Sequence, residues 1–158
     1  MNAMKNLTFL LLSLALVAGC SKTNANRSKD FTHTGCANDT RAAETRAGLF
    51  GDEPSLLTLK YEDGDLRVTR TNAYMNCSIK NNGIVCDVSV KGSVITYDVY
   101  EKDGPVANCI CPVEEMSSVV TDLQEGKEYT LEYRCYGAIT VNFTFKKGFH
   151  KIIDLSAE

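Results

Sequence analysis

Ile139-Thr140-Val141-Asn142-Phe143-Thr144-Phe145 decides the fold, because apolar and polar side chains alternate along it without a break. Successive side chains of a strand point to opposite faces, so one face of this segment is apolar and the other polar. A helix would scatter the same four apolar residues around its circumference. The stretch reads as a half-buried strand.

The same period of two continues upstream. Tyr129, Leu131, Tyr133 and Cys135 alternate with Thr130, Glu132 and Arg134. Ile84, Cys86, Val88 and Val90 share one phase, as do Ile95, Tyr97 and Val99. Shorter strands fit Leu57 to Tyr61, Leu66 to Thr71, Ser118 to Leu123 and Lys151 to Leu155. Turn-forming residues separate them: Glu62-Asp63-Gly64-Asp65, Lys91-Gly92, Asp103-Gly104-Pro105, Glu125-Gly126 and Lys147-Gly148. Seven or eight short strands at this spacing predict an all-β sandwich or barrel over residues 36 to 158, which suits one domain. A short helix is expected from Asn38 to Gly48, capped by Asp39.

Leu123-Gln124-Glu125-Gly126-Lys127-Glu128-Tyr129-Thr130-Leu131 resembles the crossover between the fifth and sixth strands of fibronectin type III domains. The resemblance implies an immunoglobulin-like antiparallel sandwich. It makes Tyr129 the corner tyrosine, whose hydroxyl ties back to the preceding loop.

The N-terminus gives an address. Lys5 is followed by an apolar run, Leu7 to Val17, broken only by Thr8 and Ser13 and too short to span a bilayer permanently. A charged start, a short apolar stretch and small residues form an export signal, whether translation begins at Met1 or Met4. It ends Leu16-Val17-Ala18-Gly19-Cys20, which resembles the bacterial lipobox. The resemblance implies cleavage after residue 19, a diacylglycerol thioether on Cys20 and acylation of its amino group. Several acyl chains anchor a protein stably where one binds only marginally. Residues 20 to 35 are polar apart from Phe31 and read as a flexible tether. Ser21 after the cysteine, in place of Asp, implies the outer membrane. The lack of an acidic cluster there favours its periplasmic face over the cell surface.

Seven cysteines leave six once Cys20 is assigned to lipid: Cys36, Cys77, Cys86, Cys109, Cys111 and Cys135. An even number in an oxidising compartment predicts up to three disulfides. Cys86 and Cys135 both lie in apolar phase, which suggests a bridge across the sandwich, and Cys77 would pair with Cys109 or Cys111.

The chain carries 17 Lys and Arg against 20 Asp and Glu, a net charge of −3. Loss of residues 1 to 19 removes one lysine and no acid, which brings the net charge to about −4. An acidic chain lacks the basic stripe that nucleic acid requires.

Catalytic chemistry finds little to work with. Cys109-Ile110-Cys111 would put both sulfurs on one face of a strand, as a redox pair or half of a metal site completed by Cys77 or His150. The spacing is neither C-x-x-C nor a paired zinc motif, and bridges to separate partners explain it more simply. His33 falls in the tether, and His150 lies beside a turn with no orienting partner nearby. Glu114-Glu115, Glu62-Asp63-Gly64-Asp65 and Asp52-Glu53 lack the ligand spacing of a calcium loop and read as solvated turns. No cofactor and no metal site is expected. Tyr74, Tyr97, Tyr100, Tyr133 and Tyr136 offer a binding platform, with Tyr100 and Tyr136 on polar phases.

Asn76-Cys77, then Asn108-Cys109-Ile110-Cys111-Pro112, then Leu123-x-x-Gly126-x-x-Tyr129 are together similar to small, uncharacterised cysteine-containing lipoproteins of Bacteroides-type bacteria. That resemblance covers about residues 56 to 155. The function expected is a non-enzymatic binding or structural module of the cell envelope, held to the membrane through Cys20 and facing an envelope protein or glycan. Two alternatives stand beside it. One is a small inhibitor of a lysozyme or protease that presents Glu114-Glu115 or Asp63-Gly64-Asp65. The other is a thiol redox or metal-binding protein using Cys109 and Cys111.

Overall fold

A computed structural model describes residues 28–36 and 53–156. The export signal, Cys20, Asp52 and the helix expected from Asn38 to Gly48 lie outside the described residues.

The chain forms a two-layered β-sandwich. Its strands are β1 (Ser28–His33), β2 (Leu56–Glu62), β3 (Asp65–Asn76), β4 (Ile84–Lys91), β5 (Val94–Glu101), β6 (Ile110–Val120), β7 (Glu128–Arg134), β8 (Ala138–Thr144) and β9 (His150–Asp154). A single helical turn, Ile79–Asn82, joins β3 to β4. One sheet has the order β1-β6-β3-β2-β9 and the other β4-β5-β7-β8. An immunoglobulin-like sandwich likewise gathers its first, second and fifth strands in one layer and its third, sixth and seventh in the other. Here β2, β3 and β6 share one layer, while β4, β7 and β8 share the other.

The all-antiparallel expectation needs one correction. β5 stands between β4 and β7, and it runs parallel to β7 with Tyr97 opposite Tyr133. A parallel pair cannot be joined by a tight hairpin. β6 makes the connection by crossing to the other sheet and back. The hairpins β2–β3, β4–β5 and β7–β8 are antiparallel.

The core is the apolar phase of these strands. Leu57, Leu59, Leu66, Val88, Ile95 and Leu131 are fully buried, and Tyr97, Tyr129 and Tyr133 nearly so. Each aliphatic side chain buried in this way stabilises the fold by roughly 1.5–3 kcal/mol relative to exposure. The crossover at Tyr129 forms as the resemblance implies, with its hydroxyl accepting a hydrogen bond from Gln124 N at 2.9 Å. Gly126 makes the turn at φ +83°, a region open to glycine and strained for other residues.

Three elements depart from the sequence reading. Ser28–His33, within the expected tether, is a strand that pairs antiparallel with β6 from Ser28 opposite Val120 to His33 opposite Met116. Its sequence is polar because it is an edge strand, and Phe31 packs against the core. β6 begins at Ile110, well before Ser118. Pro112 and the exposed pair Glu114-Glu115 interrupt its alternation, so its first half has no period to read. β3 runs on to Asn76 past Asn72, whose φ of 51° breaks the phase.

Candidate functional site

The two ends of the sandwich are built differently, and the end where β5 and β7 finish collects the unusual chemistry. Asn76, at the end of β3, is buried, and its side-chain amide both donates and accepts. Its Oδ1 accepts from Ser78 N at 3.0 Å and Ala107 N at 3.1 Å, and its Nδ2 donates to Ala107 O at 2.6 Å. Glu101, the last residue of β5, is only 3% exposed. A buried carboxylate is costly unless hydrogen-bonded. Glu101 Oε1 accepts from Asn76 N at 2.9 Å and from the Tyr136 hydroxyl, and Asn76 N also donates to that hydroxyl at 2.8 Å.

Tyr136 is therefore pinned by its tip while its ring lies on the surface, 60% exposed. Its backbone has φ 57°, in the left-handed region that a bulky residue rarely enters. Backbone strain of this kind costs about 1–3 kcal/mol and persists only where the surroundings impose it. Tyr100, on the outer face of β5, is 41% exposed and is held in the same fashion, donating to Asp87 Oδ2 at 2.6 Å. The hydrogen bond to that carboxylate pushes the phenol's pKa up.

Asp87, Asp98, Tyr100, Arg134, Tyr136 and Gly137 line one open depression of about 580 Å³ on the outer face of the four-stranded sheet. Arg134 lies 3.6 Å from Asp98 and 2.9 Å from Glu132. A cation shared between two acids leaves this face with net negative charge. The site can seat a ligand against two oriented aromatic rings and a carboxylate rim.

The five tyrosines expected to form a platform divide. Tyr100 and Tyr136 reach the surface together. Tyr97 and Tyr133 stack in the core with ring centroids 5.4 Å apart, and Tyr97 bonds Ser118 across the sandwich at 2.6 Å. Tyr74 is half-buried on β3.

Two disulfides close this end, Cys77–Cys109 and Cys36–Cys111. Cys109 and Cys111 thus take different partners, and neither is a free thiol. The bridge expected between Cys86 and Cys135 does not form, and both are free cysteines. Cys86 pairs with Val99 on β5, and Cys135 follows Arg134, the partner of Asp98, on the next strand. They occupy one sheet two strand spacings apart, about 9.5 Å, beyond the roughly 7 Å that a disulfide can span. Burial raises the pKa of both thiols. Cys135 Sγ rests 3.7 Å from Met75 Sδ in the opposite layer.

The remaining residues singled out in the sequence stay apart. His33 accepts from Gly35 N at 3.1 Å, and His150 is exposed where β9 starts. Glu114 and Glu115 are exposed in mid-strand, a correction to their reading as turn residues, and Glu53 is exposed before β2. Glu62, in the β2–β3 hairpin, pairs with Arg67, whose hydrogen bond holds the carboxyl pKa below its usual value. Among the described residues no group of three or more His, Cys, Asp or Glu is placed to hold a metal ion. Among them, too, no helix is long and apolar enough to cross a membrane.

Two inward charges escaped the sequence reading, although the phase gives them away. Glu101 continues Ile95, Tyr97 and Val99, and Arg70 continues Leu66 and Val68. Arg70 Nε and Nη1 are buried without an acceptor among the described residues, and the guanidinium lowers the pKa of the neighbouring Cys135 and Tyr133 against the larger effect of burial.

Among known proteins, no family model, no curated sequence and no solved structure matches this chain.

Proposed function

We propose that this protein is an exported bacterial lipoprotein, anchored in the cell envelope through Cys20, whose β-sandwich is a non-enzymatic binding or structural module. The observation that carries the reading is the pair of disulfides, Cys36–Cys111 and Cys77–Cys109, behind a leader that ends Leu16-Val17-Ala18-Gly19-Cys20. Disulfides persist in oxidising compartments outside the cytosol, which agrees with an export signal. With Cys20 given to lipid and four sulfurs in bridges, the two cysteines left over are Cys86, which is buried, and Cys135, which is partly buried. The expected membrane is the outer one, at its periplasmic face. The exposed Tyr100 and Tyr136 support a binding role over a purely structural one.

The test is the mass of the N-terminal peptide released from the mature protein. A diacylglycerol thioether and an amide-linked acyl chain on Cys20 are expected, together with recovery in the membrane fraction. Cys20→Ser should move the protein to the soluble fraction. An unmodified Cys20 in the wild-type protein would overturn the anchor.

A further inference from the structure

We propose that the Tyr100–Tyr136 depression is a docking site for a basic segment of a partner protein, and that the fold presents it away from the membrane. The choice of partner follows from charge. Asp87 and Asp98 lie on the rim, and Arg134 is already divided between Asp98 and Glu132. Asp87 pairs with no cation among the described residues; its contact is the Tyr100 hydroxyl. A lysine or arginine side chain entering the depression meets that carboxylate and the π-face of a tyrosine together, the arrangement that favours a cation over an aromatic ring.

Rigidity adds to this. Exposed tyrosines ordinarily lose side-chain freedom when a partner binds. Both rings here are fixed in advance by their hydroxyls, Tyr100 on Asp87 and Tyr136 on the Asn76–Glu101 pair. The left-handed backbone of Tyr136 is local strain of the sort that collects at ligand-contacting sites.

Orientation comes from β1 and rests on the lipid anchor proposed above. Ser28 sits opposite Val120, which pairs with Leu66, so the chain enters the sandwich beside the β2–β3 hairpin. From Cys20 to Ser28 is eight residue steps, no more than about 28 Å. β5 and β7 both begin near that end and finish at the other, where Tyr100, Arg134 and Tyr136 lie. The chain leads to the lipid from one end of the sandwich, and the depression occupies the opposite one, about 20 Å along the strands.

The experiment titrates the full mature chain, purified in detergent, with acetyl-(Lys-Gly)4-amide. The chain has no tryptophan, so intrinsic emission reports on its tyrosines directly. Binding should weaken as salt rises, and the matching glutamate peptide should not bind. Tyr100→Ala should weaken the lysine peptide about threefold to fivefold, and adding Asp87→Asn should weaken it further. Tyr100 lies outside the buried Asn76–Glu101 pair, and an unchanged melting temperature will show that the variant folds. Equal binding by wild type and the double variant would overturn the site. Binding of chitotetraose that is lost in Tyr100→Ala, with no response to the lysine peptide, would overturn the basic partner in favour of a glycan. Lipidated protein in phosphatidylcholine vesicles should bind the peptide as it does in detergent, and weaker binding there would overturn the outward presentation. Failure of the anchor is read separately, in the mass of the N-terminal peptide, and leaves the detergent titration unaffected.

Discussion

The end of the sandwich where β1 enters and the end where β7 finishes solve the same problem, closing a two-layered sheet, with different chemistry. At the entry end β2–β3 and β4–β5 are joined by tight turns built on Gly64 and Gly92, and the longer β6–β7 and β8–β9 connections turn at Gly126 and Gly148. They are sealed by aromatic rings: Tyr129 on Phe143, Phe143 on Phe149 and Tyr61 on Phe145. The far end has longer β3–β4 and β5–β6 connections beside the short β7–β8 turn, two disulfides, a buried carboxylate and a strained tyrosine. Local turn chemistry with apolar stacking can hold an end without cross-links. Long connections carry more chain entropy and need bridges or buried hydrogen bonds to offset it. A binding face sits more naturally on the second kind of end, because residues fixed from outside their own strand are free to expose their side chains.

The largest effect expected is at the cross-linked end. Replacing Cys36 and Cys111 together by alanine opens a bridge between residues 75 apart in sequence, which should cost about 4 kcal/mol in guanidinium unfolding and release β1. The parallel change at Cys77 and Cys109 opens a shorter loop, between residues 32 apart, and should cost slightly less. The protein should show two thiols after denaturation; before it, the buried Cys86 should not react and the partly buried Cys135 should react slowly, since burial raises the pKa of both. A denatured protein without thiols would contradict the placement of these two cysteines on one sheet.

At the glycine-turn end the expected losses are smaller. Tyr129→Phe keeps the ring against Phe143 and removes only the hydrogen bond from Gln124 N. It should cost about 1 kcal/mol in the same unfolding measurement. A loss as large as that of a disulfide would erase the contrast between the ends.

The smallest effect lies in the β2–β3 hairpin and is a matter of pH. The Arg67 hydrogen bond holds the Glu62 pKa below its usual 4.5. A carboxyl lowered in the folded state adds stability above its unfolded pKa, and that stability is lost as pH falls through the folded value. Arg67→Ala should move the Glu62 titration up toward 4.5, as read from its carboxyl carbon by NMR. An unmoved titration would show that Arg67 does not set it.

Much of the architecture was legible because period two survives wherever a strand buries one face. β4, β5, β7 and β8 alternate cleanly, and the turn residues between β4 and β5 and between β8 and β9 fall where glycine permits the backbone. The tyrosine corner was legible too, since its hydrogen bond spans five residues of sequence. β1 and the first half of β6 were hidden, one by polarity at a sheet edge and the other by a proline and an acidic pair.

By itself the sequence determined the fold class, the corner and the division of Tyr100 from the core tyrosines, because each rests on neighbours along the chain. Tertiary structure alone decided the sulfur partners, the parallel contact of β5 with β7 and the meeting of Asn76, Glu101 and Tyr136. Those depend on which strands become neighbours, and alternation states which face a residue occupies without stating what stands beside it. Cys86 and Cys135 share an apolar phase for that reason and still sit too far apart to join.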